Sequence, residues 1–306
     1  CGKEWSESFE KLEIIKNGLD PDMYPNVDWQ KEILNRTSLQ QTYYVSAQGG
    51  GSIARYFISL GMSNESAAYK QDETSKYKSN VGYNTYNYRS NLDVNITKTT
   101  SVYLGNDGFI SINNKPGMAN TDWLWSSQAK LTPLTVPTRY SNGLFPAYGK
   151  DDQISPYILL NHTGMATEEE YKNMVTLAVN QKLDFIIPGM KVKIQGALDN
   201  RSYVTEVRSK MMDLYNAAGR NAKGELIMIK KVNAHDTWYS SDDYQWRKYH
   251  FEGNLTYDHV FNADHRTSGL LYYYMSSEKA TNNTTSMSAI PKKYQGVSSR
   301  LTYGYK

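Results

Sequence analysis

Cysteine is almost absent from this chain, which has one Cys, at position 1, among 306 residues. One thiol cannot form an internal disulfide, so no disulfide framework holds the fold. This does not fix the compartment, because bacterial envelope proteins often lack disulfides. Cys1 followed by Gly2 is also the pattern of a mature bacterial lipoprotein, whose first residue is an acylated cysteine.

Long hydrophobic runs are also missing. The longest apolar run, Leu270 to Met275, is far shorter than the roughly 20 residues that a membrane-spanning helix needs. Together with a mean hydropathy of −0.66, this excludes a helical membrane protein. A net charge of +3 gives no reason to expect a nucleic-acid partner.

Catalytic and metal-binding motifs are lacking as well. The sequence has no HExxH, CxxC, GxSxG, P-loop or GxGxxG spacing. Neighbouring carboxylates such as Asp72 and Glu73 do not supply a pair facing across a cleft. His250 and Glu252 fall on one face of a strand, where polar lining explains them better than a metal site. We therefore expect no enzyme activity, no metal and no cofactor.

What the chain does have is strict alternation of apolar and polar residues. Within 84–97 one face carries the apolar residues Tyr86, Tyr88, Leu92, Val94 and Ile96, and the other carries polar residues that include Arg89 and Asp93. This predicts a strand with two unlike faces. The pattern returns at 190–195, 249–258 and 297–306. A membrane barrel turns such charges toward a watery lumen and its apolar residues toward lipid, whereas a soluble β-sandwich, the alternative, would rarely bury them.

Nine strands are predicted in all. Tight turns follow the first, third, fifth and seventh, and long loops separate the others, as in an up-and-down meander with turns on the periplasmic side and loops outside the cell. The strands are predicted at 39–48, 53–62, 84–97, 100–112, 173–187, 190–198, 248–261, 266–276 and 295–306, and the long loops at 63–83, 113–172, 199–247 and 277–294.

The predicted fold is therefore all-β, with antiparallel transmembrane strands and long extracellular loops. Residues 1–36 form a mixed, partly helical lead-in, and 37–306 form the barrel segment. Because nine is an odd number and the last strand ends at Lys306, each end would leave an unpaired edge. We therefore expect these strands to be part of a larger barrel in the bacterial outer membrane.

Several segments of the chain resemble segments of one protein family, and they follow one another in the same order as in that family. The run NVDWQKEIL at 26–34 is followed by QQTYYVSAQGGGSIARYFISLG at 40–61, then by a tyrosine-rich strand at 83–97, LDFIIPGMKVK at 183–193 and GVSSRLTYGY at 296–305. This order resembles SusC/RagA-type TonB-dependent transporters of Bacteroidetes. The resemblance implies import of glycan or peptide fragments, with a SusD-like surface lipoprotein as partner and TonB acting through a plug region. Neither the plug nor the remaining strands lie within this chain.

Exposed aromatic rings beside amides and carboxylates are typical of oligosaccharide sites, because sugar C–H faces stack on flat rings. The predicted long loops supply eight candidates, although such rings could instead pack the loops together. They are Trp123, Trp125, Tyr140 and Tyr148 in the 113–172 loop, and Trp238, Tyr239, Tyr244 and Trp246 in the 199–247 loop.

Charged residues at alternate strand positions are predicted to face the lumen, where they would touch the plug or passing cargo. They are Arg89, Asp93, Lys191, Lys193, Glu252 and Arg300. A second hypothesis is a surface lipoprotein, acylated at Cys1, that binds glycans through the loop aromatics. Outer-membrane lipid is a partner in the first hypothesis, and nucleic acid in neither.

Overall fold

The structure, a computed structural model, describes residues 2–75, 79, 81–117, 121–148 and 154–305. Cys1, and with it the predicted acylation, lies outside the described residues. Among those residues, no helix is both long and apolar enough to cross a membrane.

Nine long strands form one antiparallel sheet in which each strand pairs with the next long strand along the chain. Four tight turns join them at one end, and four longer connections join them at the other. The strands are β1 (Gln40–Gly50), β2 (Ala54–Ser66), β3 (Gly82–Asn95), β4 (Thr100–Pro116), β6 (Gly164–Lys182), β7 (Met190–Met211), β10 (His235–Phe261), β11 (His265–Ala280) and β12 (Lys292–Tyr305).

The nine predicted strands and their order are confirmed, but several are longer than predicted. β6 begins at Gly164, β7 continues to Met211, and β10 begins at His235. The supposed 199–247 loop is therefore mostly strand. Its last candidates, Trp238 to Trp246, lie on β10, so their assignment to a loop was wrong. The ladder of hydrogen bonds continues beyond the stretch where apolar and polar residues alternate cleanly.

The connections between β4 and β6 and between β7 and β10 fold into a small unit of their own. It contains α3 (Thr121–Lys130), β5 (Phe145–Pro146) and α4 (Pro156–Asn161), together with the hairpin of β8 (Leu214–Arg220) and β9 (Leu226–Val232). We call this the loop unit. Ile154, Ile158 and Leu214 are almost fully buried at its centre. It is the main hydrophobic core of the described chain, since the sheet itself leaves its apolar side chains exposed.

The lead-in contains α1 (Gly2–Asn17) and α2 (Trp29–Ile33). β1 starts at the end of the sheet that carries the longer connections, and the lead-in docks there on the loop unit. The Trp29 indole donates to the Thr132 carbonyl at 3.2 Å, and Ile33 is fully buried with Leu124 and Leu160. The lead-in is thus packed against the long connections.

Candidate functional site

The strand register divides the sheet into two unlike faces. Residues directly opposite each other on paired strands point to the same side. Arg89 lies opposite Ser59 and Asp107, and this row continues through Met174 and Asp199. We call this face the polar wall. All six predicted lumen-facing residues lie on it: Arg89, Asp93, Lys191, Lys193, Glu252 and Arg300.

The opposite face, the apolar wall, is an exposed hydrophobic surface. Leu92, Leu104 and Leu177 lie side by side on three successive strands, with exposed fractions of 37%, 41% and 50%. Similar side chains cover the same face of the other strands, among them Val45, Ile58, Ile194, Phe251, Met275 and Val297. A continuous surface of this size indicates contact with lipid or with another apolar surface.

Charges on the polar wall are largely matched within the sheet. Arg89 forms an ion pair with Asp107, and Lys115 lies 2.6 Å from Glu168. Glu170 is 2.5 Å from Arg201 and 3.3 Å from Lys172. Exposed pairs of this kind each contribute at most about 1 kcal/mol to stability. Because these ion pairs match cations with carboxylates, this stretch of the polar wall is polar but carries no large net charge.

A long cavity lies along the polar wall. It has a volume of about 610 Å³ and is lined both by Tyr44 on β1 and by Trp246 on β10, which lie six strands apart in the sheet. A sheet that closes around its polar face, as expected for barrel strands, forms a cavity of this kind on its inner side. We call the stretch of the polar wall from Tyr44 to Trp246 the concave site.

A row of aromatic and cationic side chains crosses this cavity. From β1 to β10 the register places Tyr44, Gly61, Asn87, Phe109, Lys172, Arg201 and Trp246 in one line. The Lys172 ammonium lies 5.2 Å from the centre of the Phe109 ring, a cation–π contact. Rings alternating with amide and charged groups can bind a ligand that has both apolar faces and hydrogen-bonding groups.

The four candidate aromatics of β10 fall on both faces. Trp238, Tyr244 and Trp246 belong to the polar wall by register, and Tyr239 to the apolar wall. Trp246 lines the cavity, whereas Trp238, 59% exposed, lies near the end of the strand that adjoins the longer connections. Only Trp246 of these four therefore joins the concave site.

The candidates in the loop unit mostly pack inside it. Tyr140 is 4% exposed, and its hydroxyl accepts a hydrogen bond from the Ala217 amide at 3.2 Å. Trp123 packs against the core, and the Tyr148 hydroxyl lies 3.2 Å from the Ser127 hydroxyl. Trp125 is 42% exposed beside Tyr69. The structure thus contradicts an exposed ring at Tyr140 and leaves Trp125 as the accessible member.

A buried polar cluster joins the β2–β3 connection to α4. Asp72 Oδ2 accepts from the Tyr157 hydroxyl at 2.7 Å and lies 3.1 Å from His162 Nε2, while Oδ1 accepts from the Thr74 amide at 2.8 Å. Burial opposes ionisation of Asp72, yet hydrogen bonds from Tyr157 and Thr74 hold its pKa at about 2. Burial lowers the pKa of His162 despite Asp72. The cluster therefore attaches the β2–β3 connection to the loop unit.

Sequence reasoning missed four residues of the concave site, namely Tyr44, Phe109, Lys172 and Arg201. Each stands at a polar-wall position of the alternation, so a strand-by-strand assignment of register could have found them. No group of three or more His, Cys, Asp or Glu side chains in the described part of the chain is placed to hold a metal.

No protein-family model and no curated protein matches the sequence. Solved structures do match the fold. The RagAB peptide importer in its closed-closed state aligns with a TM-score of 0.55 at 16% identity, over 92% of this chain and 32% of that chain. Its open-open state gives 0.56 at 15% identity over the same shares. The chain has the fold of part of a SusC/RagA-type β-barrel. It spans about a third of the length of these structures.

Proposed function

We propose that this chain is part of a TonB-dependent transporter of the bacterial outer membrane. The observation that carries the proposal is the two-faced curled sheet, with an exposed apolar wall outside and an ion-paired polar wall inside. Outer-membrane barrels turn apolar residues to lipid and polar residues to the lumen. No enzyme activity is needed to explain any group on either wall.

The tight turns would then face the periplasm, and the loop unit would lie outside the cell. In that orientation the loop unit is the surface that a SusD-like lipoprotein would contact. The plug and TonB would act through parts of the transporter outside this chain. The matching structures are of a peptide importer, which supports peptides as one cargo class, and the aromatic row of the polar wall suits oligosaccharides equally.

A matched pair of substitutions tests the membrane placement. Leu177 and Thr176 are neighbours on β6 that point to the apolar and the polar wall respectively. Leu177→Arg in the full native polypeptide would place a charge in lipid, at a cost of about 2–4 kcal/mol near the bilayer centre. We expect far less heat-modifiable protein in outer-membrane fractions for Leu177→Arg, and nearly normal amounts for Thr176→Arg.

Equal tolerance of the two substitutions would contradict a lipid-facing apolar wall. A native polypeptide that remains in the soluble fraction would rule out the transporter. A species near 34.9 kDa with acyl chains on Cys1 would instead support the surface lipoprotein that binds glycans.

A further inference from the structure

Two lysines oppose each other on the polar wall near the tight turns. Lys182 at the end of β6 lies directly opposite Lys191 at the start of β7, and both side chains are exposed. Like charges directly opposite on paired strands destabilise a sheet. The fold therefore keeps a repulsion at this point that a single neutral substitution would remove.

The same wall shows how such a pair is neutralised. Lys172 and Arg201 also oppose each other across β6 and β7. There the sheet supplies Glu170, whose carboxylate lies 3.3 Å from Lys172 Nζ and 2.5 Å from the Arg201 guanidinium. One carboxylate between two cations turns a repulsive pair into two attractive contacts.

Lys182 and Lys191 have no such carboxylate within ion-pair distance among the described residues. Asp258 is close enough to interact with Lys191 electrostatically, but both of its oxygens are bound by Arg266, at 3.0 and 2.6 Å. Glu252 lies 3.8 Å from Lys193 and also accepts from the Tyr272 hydroxyl at 2.9 Å. Asp258 and Glu252, the carboxylates of β10 on this part of the wall, are thus bound to other groups.

The space in front of the pair can hold a ligand group. A cavity of about 810 Å³ is lined by Lys182, Lys191, Lys193, Lys98, Asn180 and Asn254. Ammonium and amide groups offer many hydrogen-bond donors to oxygen atoms of an anion. We propose that Lys182 and Lys191 form a site for a carboxylate from outside the sheet, which bridges them as Glu170 bridges Lys172 and Arg201.

The carboxylate can come from two sources with the same chemistry. It can belong to an acidic side chain of a polypeptide segment enclosed by the concave wall, or to a free polycarboxylate that enters the cavity. The two lysines oppose each other in the sheet whether or not the wall belongs to a transporter.

Zero-length carbodiimide cross-linking of the full native polypeptide in detergent, followed by peptide mass spectrometry, distinguishes the sources. The Lys172–Glu170 pair is the internal reference, since its cross-link should form from the sheet alone. A cross-link from Lys182 or Lys191 to an acidic residue outside the nine-stranded sheet and its tight turns identifies a polypeptide segment. The second measurement is the rate at which Lys182 and Lys191 are acetylated. If citrate slows this rate several-fold relative to chloride at equal ionic strength, the site binds a free carboxylate.

Lys191→Glu gives the sheet its own partner for Lys182. We expect this variant to keep its heat-modifiable fold and to lose the outside cross-link or the citrate protection, while Lys223→Glu on the β8–β9 turn keeps both. If Lys191→Glu does not assemble, Lys191→Gln provides the same comparison without a new charge. Absence of both the outside cross-link and citrate protection in the unsubstituted polypeptide would overturn the proposal, whatever its transport activity.

Discussion

At the scale of single residues, the Asp72 cluster holds the β2–β3 connection on the loop unit. The side chains of Asp72 and His162 are only 9% and 8% exposed. Burial keeps the pKa of His162 below its ordinary value, so the folded unit holds this ring neutral where an unfolded chain would already protonate it. The unfolded state then binds more protons below about pH 6.5, and stability falls as the pH falls.

We expect hydrogen exchange of the α4 amides, corrected for intrinsic rates, to lose protection between pH 7 and pH 5. Asp72 adds nothing to this change, because its stabilisation is complete above its unfolded pKa near 3.8 and is lost only toward about 2. His162→Gln keeps a donor for Asp72 and should flatten the pH dependence. An unchanged slope in His162→Gln would show that another group titrates.

At the scale of elements, one arginine joins the lead-in to the loop unit. Arg220 on β8 donates to both oxygens of Asp20, at 2.7 and 3.0 Å, and to Asp22 at 3.0 Å. Asp22 in turn accepts from the Ser141 hydroxyl at 2.6 Å. The fork of a guanidinium can bind two carboxylates at once, which an ammonium cannot do with the same geometry.

Arg220→Met should therefore free the lead-in while the loop unit stays folded. We expect limited proteolysis between residues 17 and 28 to become several-fold faster, with no change in cleavage at the tight turns. Lys223→Met removes a charge from the same hairpin without touching Asp20 and serves as the control. Equal cleavage of the two variants would mean that Trp29 and Ile33 hold the lead-in by themselves.

Strand number and order could be predicted because one wall is polar and the other apolar, so polar and apolar residues alternate along each strand with a period of two. That period weakens where both faces of a strand are polar, as at Glu168 to Glu170 on β6, so the strand ends were missed. The β8–β9 hairpin was missed although Asn221 to Gly224 has turn composition and an apolar run from Leu226 to Ile229 follows it. Predicting the concave site would have required the register of all seven strands that its residues cross.

At the scale of the whole molecule, curl and register together decide which aromatic rings can meet a ligand. Trp246 and Tyr239 lie on the same strand, yet Trp246 lines the 610 Å³ cavity and Tyr239 is on the opposite wall, near Arg208. A ring on the concave side can stack on a sugar or an apolar peptide side chain while Arg201 and Asn87 bond its polar groups. A ring on the convex side cannot reach that ligand.

Under the proposed transport function, Trp246→Ala in the full native polypeptide should weaken cargo binding, by about tenfold if one stacking contact worth about 1.4 kcal/mol is lost. Tyr239→Ala should leave the affinity unchanged, since its ring faces away from the cavity. Calorimetric titration of both variants with peptide and oligosaccharide mixtures measures the difference and names the cargo class in the same experiment. An equal loss for the two variants would place cargo outside the concave wall, and a loss for Tyr239→Ala alone would reverse the assignment of the two faces.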